Sequence, residues 1–277
     1  MWPDKMVRLG KSLVQHGPLS NRAYLMDLDP ADCPEIAPRL KNLAVQKGYT
    51  KIFAKVPDSL AKPFAEAGYQ TEAFIPGFYR RQDGARFMGM YLEEKRSSCR
   101  NKELAQKVLR TSNKKRGSSG SSLAPGYRIR AMTPENIPAM AELYSLVFNS
   151  YPFPIFQPDY LEKTMQDNVS YFGVLCGENL AGLASAEKDM SSLAAEMTDF
   201  ATLPGHRGRN LAGALLEAMG THMTKAGIKT LYTIARSGSF GMNITFARAG
   251  FQYAGTLTNN THIAGSIESM NVWHRTC

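Results

Sequence analysis

The heptapeptide FAEAGYQ at Phe64–Gln70 returns as FARAGFQ at Phe246–Gln252, with five of seven positions identical and an aromatic residue at the sixth in both. No other feature constrains the fold as tightly. In the second copy the phrase reads as the end of a short helix, a glycine stop and the first residues of a strand. Gly250 suits the left-handed position that closes a helix, and the next aromatic starts the strand and turns into the core. The first copy has matching flanks: a strand in KGYTKIFAKV, a helix in DSLAKPFAEAG, a strand in YQTEAFI and another in RFMGMYLE. The repeat is therefore expected to mark a supersecondary unit written twice.

Between the copies, NKKRGSSGSSLAPG (113–126) has no apolar periodicity and ends in Pro-Gly, the mark of a flexible linker. The chain then divides into residues 1–94, a basic segment plus linker at 95–126, and residues 127–277. The net charge of +9 invites a nucleic-acid reading. Nine Lys and Arg against one acid lie between Lys95 and Arg116, however, so +8 of the charge sits in that stretch and the rest of the chain is near neutral. So localised a charge argues against nucleic acid as the partner and reads as a solvated helix followed by a linker; an anion-binding arm is the alternative. No apolar run reaches membrane-span length. The start, MWPDKMVRLGK, does not resemble a secretory signal. The four cysteines form no CxxC pair and the histidines no ligand spacing, so neither disulfides nor a metal is expected. A cytoplasmic location is the expectation.

The second half alternates patterns. YRIRAM is strand-like, PENIPAMAELYSLVF and PDYLEKTMQD are helical, and SYFGVLCGENLAGLASAEKD is a hairpin turning at Gly177–Asn179. AAEMTDFATL is a strand, a long helix follows it, and KTLYTIA, SFGMNITFARAG, FQYAGTL and ESMNVWH complete the order. Ahead of the long helix stands DFATLPGHRGRNLAGALL, a strand end, a turn rich in Gly and Arg, and a helix start. Unpaired N–H groups and the positive end of the helix dipole meet there, with Arg207 and Arg209 adding charge and Gly208 and Ala212 allowing close approach. That is a cradle for a pyrophosphate. The equivalent stretch of the first half, DLDPADCPEIAPRLKNLAVQKG, carries Asp27, Asp29, Asp32 and Glu35 and would repel phosphate. The expectation is a fold written twice and a cofactor site written once.

Arg207-Gly208-Arg209-Asn210-Leu211-Ala212 resembles the R/Q-x-x-G-x-G/A signature of the GNAT acetyltransferases, with Asn210 where the first glycine usually stands. The order of elements over 127–277 is similar as well. The resemblance implies an α+β fold with a central mixed, mostly antiparallel sheet flanked by helices. To this is added a smaller N-terminal α/β domain like a degenerate half of the same unit. It also implies acetyl-CoA as co-substrate and a small-molecule amine as partner. SYPFPIFQPDYL, AEMTDFATLP and NNTHIAGSIESMNVW are similar to segments of the branch of that family that acetylates the ε-amine of β-lysine to make a compatible solute. A polyamine, an aminoglycoside or a protein lysine are the other acceptors considered. A cofactor-binding regulator without turnover is a further reading.

An alkyl ammonium, with a pKa near ~10.4, must lose a proton before it attacks a thioester. Glu196 matches the position of the family's base glutamate. Asp199 is the alternative, on the opposite face unless a bulge breaks the alternation. Phe200, Ala201 and Thr202 are expected to polarise the thioester carbonyl, and Arg207–Ala212 (Arg207, Gly208, Arg209, Asn210, Leu211, Ala212) together with Ser237 to hold coenzyme A. Phe246 stands where the family's acid tyrosine usually lies and Ser239 where its asparagine lies, so the general acid is open; Tyr232, Ser237 and His262 are the substitutes. Tyr144, Phe148, Tyr151, Phe153 and Asp159 are the acceptor candidates, with Asn259, Asn260 and Glu268 as further contributors. For the N-terminal copy three roles stay open: structural partner, wall of the acceptor site, or surface of a homodimer.

Overall fold

The computed structural model describes residues 4–99, 101–117 and 123–277. Arg100 and the centre of the expected linker, 118–122, lie outside the described residues. The N-terminal half runs β1 (Lys5–Leu9), β2 (Ser12–Gly17), β3 (Arg22–Asp27), α1 (Ile36–Lys47), β4 (Lys51–Pro57), α2 (Lys62–Glu66), β5 (Gln70–Tyr79) and β6 (Asp83–Tyr91). Short α3 (Glu94–Ser97) and α4 (Lys102–Lys114) follow. The C-terminal half runs β7 (Tyr127–Ala131), α5 (Ile137–Val147), α6 (Pro158–Asp167), β8 (Val169–Cys176), β9 (Asn179–Asp189), β10 (Ala194–Thr202), α7 (Leu211–Lys225), β11 (Thr230–Arg236), α8 (Phe240–Arg248), β12 (Gln252–Ile263) and β13 (Ser266–Thr276). The architecture is α+β, a mixed and mostly antiparallel sheet flanked by helices.

The strands form one thirteen-stranded sheet in the order β1-β2-β3-β4-β6-β5-β12-β13-β11-β10-β9-β8-β7. Read from its ends, β1 to β6 and β8 to β13 follow the same order. Each half has one parallel pair, β3 with β4 and β10 with β11. A long helix follows the first strand of that pair in each half, α1 after β3 and α7 after β10. The short helices α2 and α8 follow the second.

The repeated heptapeptide lies at the ends of α2 and α8. Gly68 and Gly250 take φ of 95° and 81°. Their N–H groups donate to the carbonyls of Ala65 and Ala247 at 3.0 and 3.1 Å, and those of Tyr69 and Phe251 reach back to Phe64 and Phe246 at 3.0 and 3.1 Å. This pair of bonds satisfies helix-end carbonyls that would otherwise be bare. In each copy the two aromatic rings meet edge to face, 5.4 Å apart for Phe64–Tyr69 and 5.1 Å for Phe246–Phe251.

The halves join where edge strands β5 and β12 meet, at the single register pair Ala73–Gly255. Gly255 has φ of 148°, and a Cβ on it would stand 2.1 Å from the Glu72 carbonyl oxygen and 2.6 Å from Ala73 Cα. We expect Gly255→Ala to destabilise the protein by about 2–5 kcal/mol, combining backbone strain and overlap with backbone atoms that cannot yield. Urea unfolding measures it, and an unchanged midpoint would show the junction to be dispensable.

A second set of bonds reinforces the seam. Strand β12 breaks its ladder with β13 between Leu257 and Thr261, which strands the carbonyls of 258–260. Three buried cations meet them. Lys51 Nζ donates to Thr258 O at 2.7 Å, Arg96 Nε to Asn259 O at 2.7 Å and Arg22 to Asn260 O at 2.8 Å. Buried carbonyls need donors, and charged donors give the stronger bonds. Between the halves lies an apolar cluster containing Phe53, Phe78 and Phe87 from one side and Tyr232, Leu257 and Val272 from the other. The basic segment is not a free arm where it is described. Helix α4 packs on α8, and the Gly117 N–H donates to Ala247 O at 3.2 Å.

Candidate active site

Strands β10 and β11 pair only from Ala194–Thr230 to Glu196–Tyr232, although each continues beyond. The divergence begins where β10 carries a bulge between Thr198 and Ala201, with Asp199 in the left-handed region at φ 54°. Two residues of β10 thus leave the β9 ladder, and the strand alternation is reset there. A cavity of about 840 Å³ opens in the gap. Its walls are Thr198–Phe200, Thr233–Arg236, the start of α7, helix α8 and the segment Val147–Tyr151 that follows α5.

One end of the cavity is built for an anion. Asn210 precedes α7 in the left-handed conformation, φ 57°, and no side chain caps the helix. Arg207, Gly208, Asn210, Leu211 and Ala212 line the cavity. Arg207 is steadied by its Nε donating to Thr202 O at 3.2 Å. Arg236, Arg248 and Lys115 also line the cavity, the last from the end of the basic segment. Uncapped amides, the helix dipole and this group of cations suit a diphosphate. Of the other residues expected here, Phe200 and Thr202 line the cavity. Ala201 does not; it is buried in the cluster beneath α5 and α6. Arg209 is exposed and away from the lining. Ser237 is buried, its N–H donating to Ser269 O at 2.8 Å, and does not line the cavity either.

The acid position holds no acid. Phe246 is buried, edge to face with Phe200 at 5.5 Å and with Phe251 at 5.1 Å. Ser239 lines the cavity. The asparagine of α8 is Asn243, fully buried, with Nδ2 donating to Arg236 O and Ser239 O and Oδ1 accepting from Asn271 and Trp273. It fastens the start of α8 to the end of β11.

The other end of the site is acidic. Because of the bulge, Asp199 turns to the same side as Glu196 and accepts hydrogen bonds from Tyr151 and Ser185, both at 2.5 Å. Burial pushes the Asp199 carboxyl up, and the hydroxyls of Ser185, Tyr151 and Thr198, all donating to it, oppose that shift. Glu196 lies three residues back on β10 and does not line the cavity. Loss of hydration pushes it up to about 7, with Lys55 and Tyr232 holding it down and Asp199 adding to the rise. Glu187 faces Glu196 across the β9–β10 ladder. Burial and the two neighbouring carboxyls push Glu187 well above the ordinary range, while Lys55 opposes them. Glu187 and Glu196 both keep partial access to solvent although protein surrounds them, which weakens hydration without closing the path to a ligand.

Of the acceptor candidates, Phe148 and Tyr151 line the cavity, their rings tilted against each other with centroids 4.9 Å apart. Tyr144 does not reach it. Its ring is fully buried against Phe148, and its hydroxyl has no hydrogen-bond partner. Phe153 belongs to the cluster beneath α5 and α6. Asp159 is exposed at the start of α6. Asn259 and Asn260 are buried in the β12 seam, and Glu268 pairs with Arg236 at 3.5 Å. Sequence reasoning missed Glu187, Ser185, Lys55, Arg248 and Lys115. Only the pairing register could have placed Glu187 and Ser185, and no local pattern brings Lys55 across from the other half.

A cleft between two diverging parallel strands, with bare helix amides at one end and the Asp199 carboxyl at the other, is the arrangement of acyl-CoA-dependent N-acyltransferases. The model of the acetyltransferase (GNAT) family matches residues 137–251. The chain is 34% identical to the beta-lysine N(6)-acetyltransferase of Methanococcus maripaludis, over 98% of each chain. It is 31% identical to N-acetyltransferase YodP of Bacillus subtilis over 95% of this chain and 94% of that one. It is 30% identical to the beta-lysine N(6)-acetyltransferase of Methanosarcina mazei over 87% and 96%. The chain belongs to the GNAT family of acetyltransferases. It is an acetyl-CoA-dependent N-acetyltransferase.

Proposed function

We propose that the chain acetylates the ε-amine of β-lysine, with Glu196 as base. The observation that carries this reading is the carboxyl row Asp199, Glu196 and Glu187 behind the strand divergence, a surface suited to an acceptor with two ammonium groups. The names of the Methanococcus and Methanosarcina relatives, whose similarity extends over both halves of the chain, supply the amine.

Coenzyme A fits the opposite mouth. The amides at the start of α7 with Arg207 would hold its diphosphate, and Arg236, Arg248 and Lys115 supply further positive charge. When bound, acetyl-CoA supplies a thioester carbonyl to the nitrogen. Asp199, anchored by Tyr151 and Ser185, holds the incoming ammonium. Glu196 accepts its proton directly or through water, and a carboxyl near 7 combines an ionised fraction at neutral pH with useful basicity. The backbone at Asp199 and Phe200, outside the β9 ladder, would polarise the carbonyl. With Phe246 in the tyrosine position, the leaving thiolate departs without a proton from that helix. A thiol of pKa about 8.5 tolerates this. We also propose that residues 1–94 are a copy of the same unit that has lost the phosphate cradle.

The test is release of free thiol from acetyl-CoA on mixing with a panel of amines. β-Lysine is expected to give the highest kcat/KM. A polyamine, an aminoglycoside or a lysine peptide outrunning it would replace the acceptor. Coenzyme A binding without thiol release from any amine would make the chain a regulator.

A further inference from the structure

The N-terminal half contributes a charge to the acceptor site that the family fold alone does not contain. Glu187, Glu196 and Tyr232 form one row across β9, β10 and β11. The Asp199 bulge, where the strands part, is the next feature along β10. The sheet curves so that β4, β5 and β6 close over this row. Phe78 meets Tyr232 with ring centroids 5.2 Å apart, and Phe87 meets it at 6.3 Å. The turn between β5 and β6 is fixed to the β9–β10 turn, Arg80 N–H donating to Ser192 O at 2.7 Å. Lys55 of β4 lies with its Nζ 5.5 Å from the Phe78 ring centre, on the same side as the row. It is the cation whose field reaches Glu187, Glu196 and Asp189.

Lys55 faces these carboxyls without touching them. Among the described residues, none of the ion pairs within 4.0 Å includes Lys55, Glu187 or Glu196. Lys55, Glu187, Glu196 and Tyr24 of β3 all keep partial access to solvent. A cation separated by a gap from paired carboxyls suits a ligand that carries both signs.

We infer that Lys55 binds the carboxylate of the acceptor and Glu187 its second ammonium, so that the N-terminal half selects a diamino acid over a simple diamine. This rests on the β-lysine reading and assigns the far end of the same acceptor. The reacting nitrogen enters at Asp199, the second ammonium lies against Glu187, and the carboxylate lies against Lys55. A diamine would leave Lys55 facing apolar carbon, and a monoamino acid would leave Glu187 so.

Two analogues separate the contacts. 6-Aminohexanoate is β-lysine without its second amine, and 1,4-diaminopentane is β-lysine without its carboxylate. Each is tested on the full chain as substrate, or as competitor against β-lysine where its turnover is slow. Lys55→Met is expected to lower kcat/KM, chiefly through KM, by about 10- to 100-fold for β-lysine and to weaken 6-aminohexanoate comparably. 1,4-Diaminopentane should change less than about threefold in the same variant, and Lys55→Arg should recover most of the loss. Glu187→Gln should give the crossed pattern, weakening β-lysine and 1,4-diaminopentane and sparing 6-aminohexanoate. Response to the spared analogue also reports that each variant is folded. Equal losses for all three acceptors in both variants would overturn the inference while β-lysine remains the substrate. Failure of the unaltered protein to acetylate β-lysine would overturn the underlying reading instead.

Discussion

Glu196→Gln is expected to lower kcat/KM for the amine by about 10²–10⁴-fold, the range removed with a positioned base. The glutamine keeps the shape and cannot accept the proton. Coenzyme A affinity should hold, because Glu196 lies away from the start of α7. The pH profile gives the sharper test. Burial raises the Glu196 carboxyl to about 7, and the base works only when ionised. In the unaltered protein kcat/KM should therefore rise with pH through about 7, and that limb should vanish in Glu196→Gln. The carboxyls form a coupled set, so the midpoint belongs to Glu187, Glu196 and Asp199 together. The same raised values act on stability with the opposite sense. A carboxyl whose folded pKa exceeds its unfolded value stabilises the fold while protonated, and that contribution is lost as pH rises through the folded pKa. The free protein should consequently lose stability as pH climbs from about 4.5 through about 7, the upper part of which is where activity begins to gain. A pH profile identical in the variant and the unaltered protein would move the base to Asp199, whose removal should then erase the limb.

Lys51→Met is expected to cost about 3–5 kcal/mol of stability, the penalty for stripping the partner from a buried ion. Lys51 and Glu72 have side chains 0% and 6% exposed and meet at 2.7 Å. The other Glu72 oxygen accepts the Thr258 N–H at 2.8 Å and the Tyr91 hydroxyl. Without the ammonium, a buried carboxylate and the Thr258 carbonyl both lose their donor. Calorimetry should record a fall in Tm of roughly 10 °C. Adding Glu72→Leu should recover part of the loss, because the orphaned charge goes with it. A single variant within 1 °C of the unaltered protein would show that water replaces the ammonium and that the seam does not depend on it.

Several features of this protein were readable without coordinates because they are local. The glycine stops at Gly68 and Gly250 follow from the φ that a left-handed helix end demands, and the aromatic beside each glycine follows from the core beneath it. The sequence also marked the turn we propose for phosphate, since a helix start after a turn rich in Gly and Arg exposes amides whatever surrounds it. It allowed for Asp199 through a bulge, and the bulge is there. The residues of α5 and α6 were harder to assign. Tyr144 and Asp159 share an aromatic-rich stretch with Phe148 and Tyr151, and composition cannot tell a ring that fills the core from one that walls a cavity.

Tertiary structure alone decided how the two copies relate. Edge strands carry unpaired amides and carbonyls, and the partner an edge finds is not encoded in its own alternation. Here β5 found β12, turning two expected units into one sheet and drawing Arg22, Lys51 and Arg96 onto a bulge more than 160 residues away in the chain. The curvature of that sheet carried Lys55 to the carboxyls of β9 and β10. Electrostatic fields depend on distance through space, and the sequence orders residues along the chain. It could therefore nominate a base and a cradle from their neighbours, while the charge we propose to face the acceptor emerged only when the two halves closed on each other.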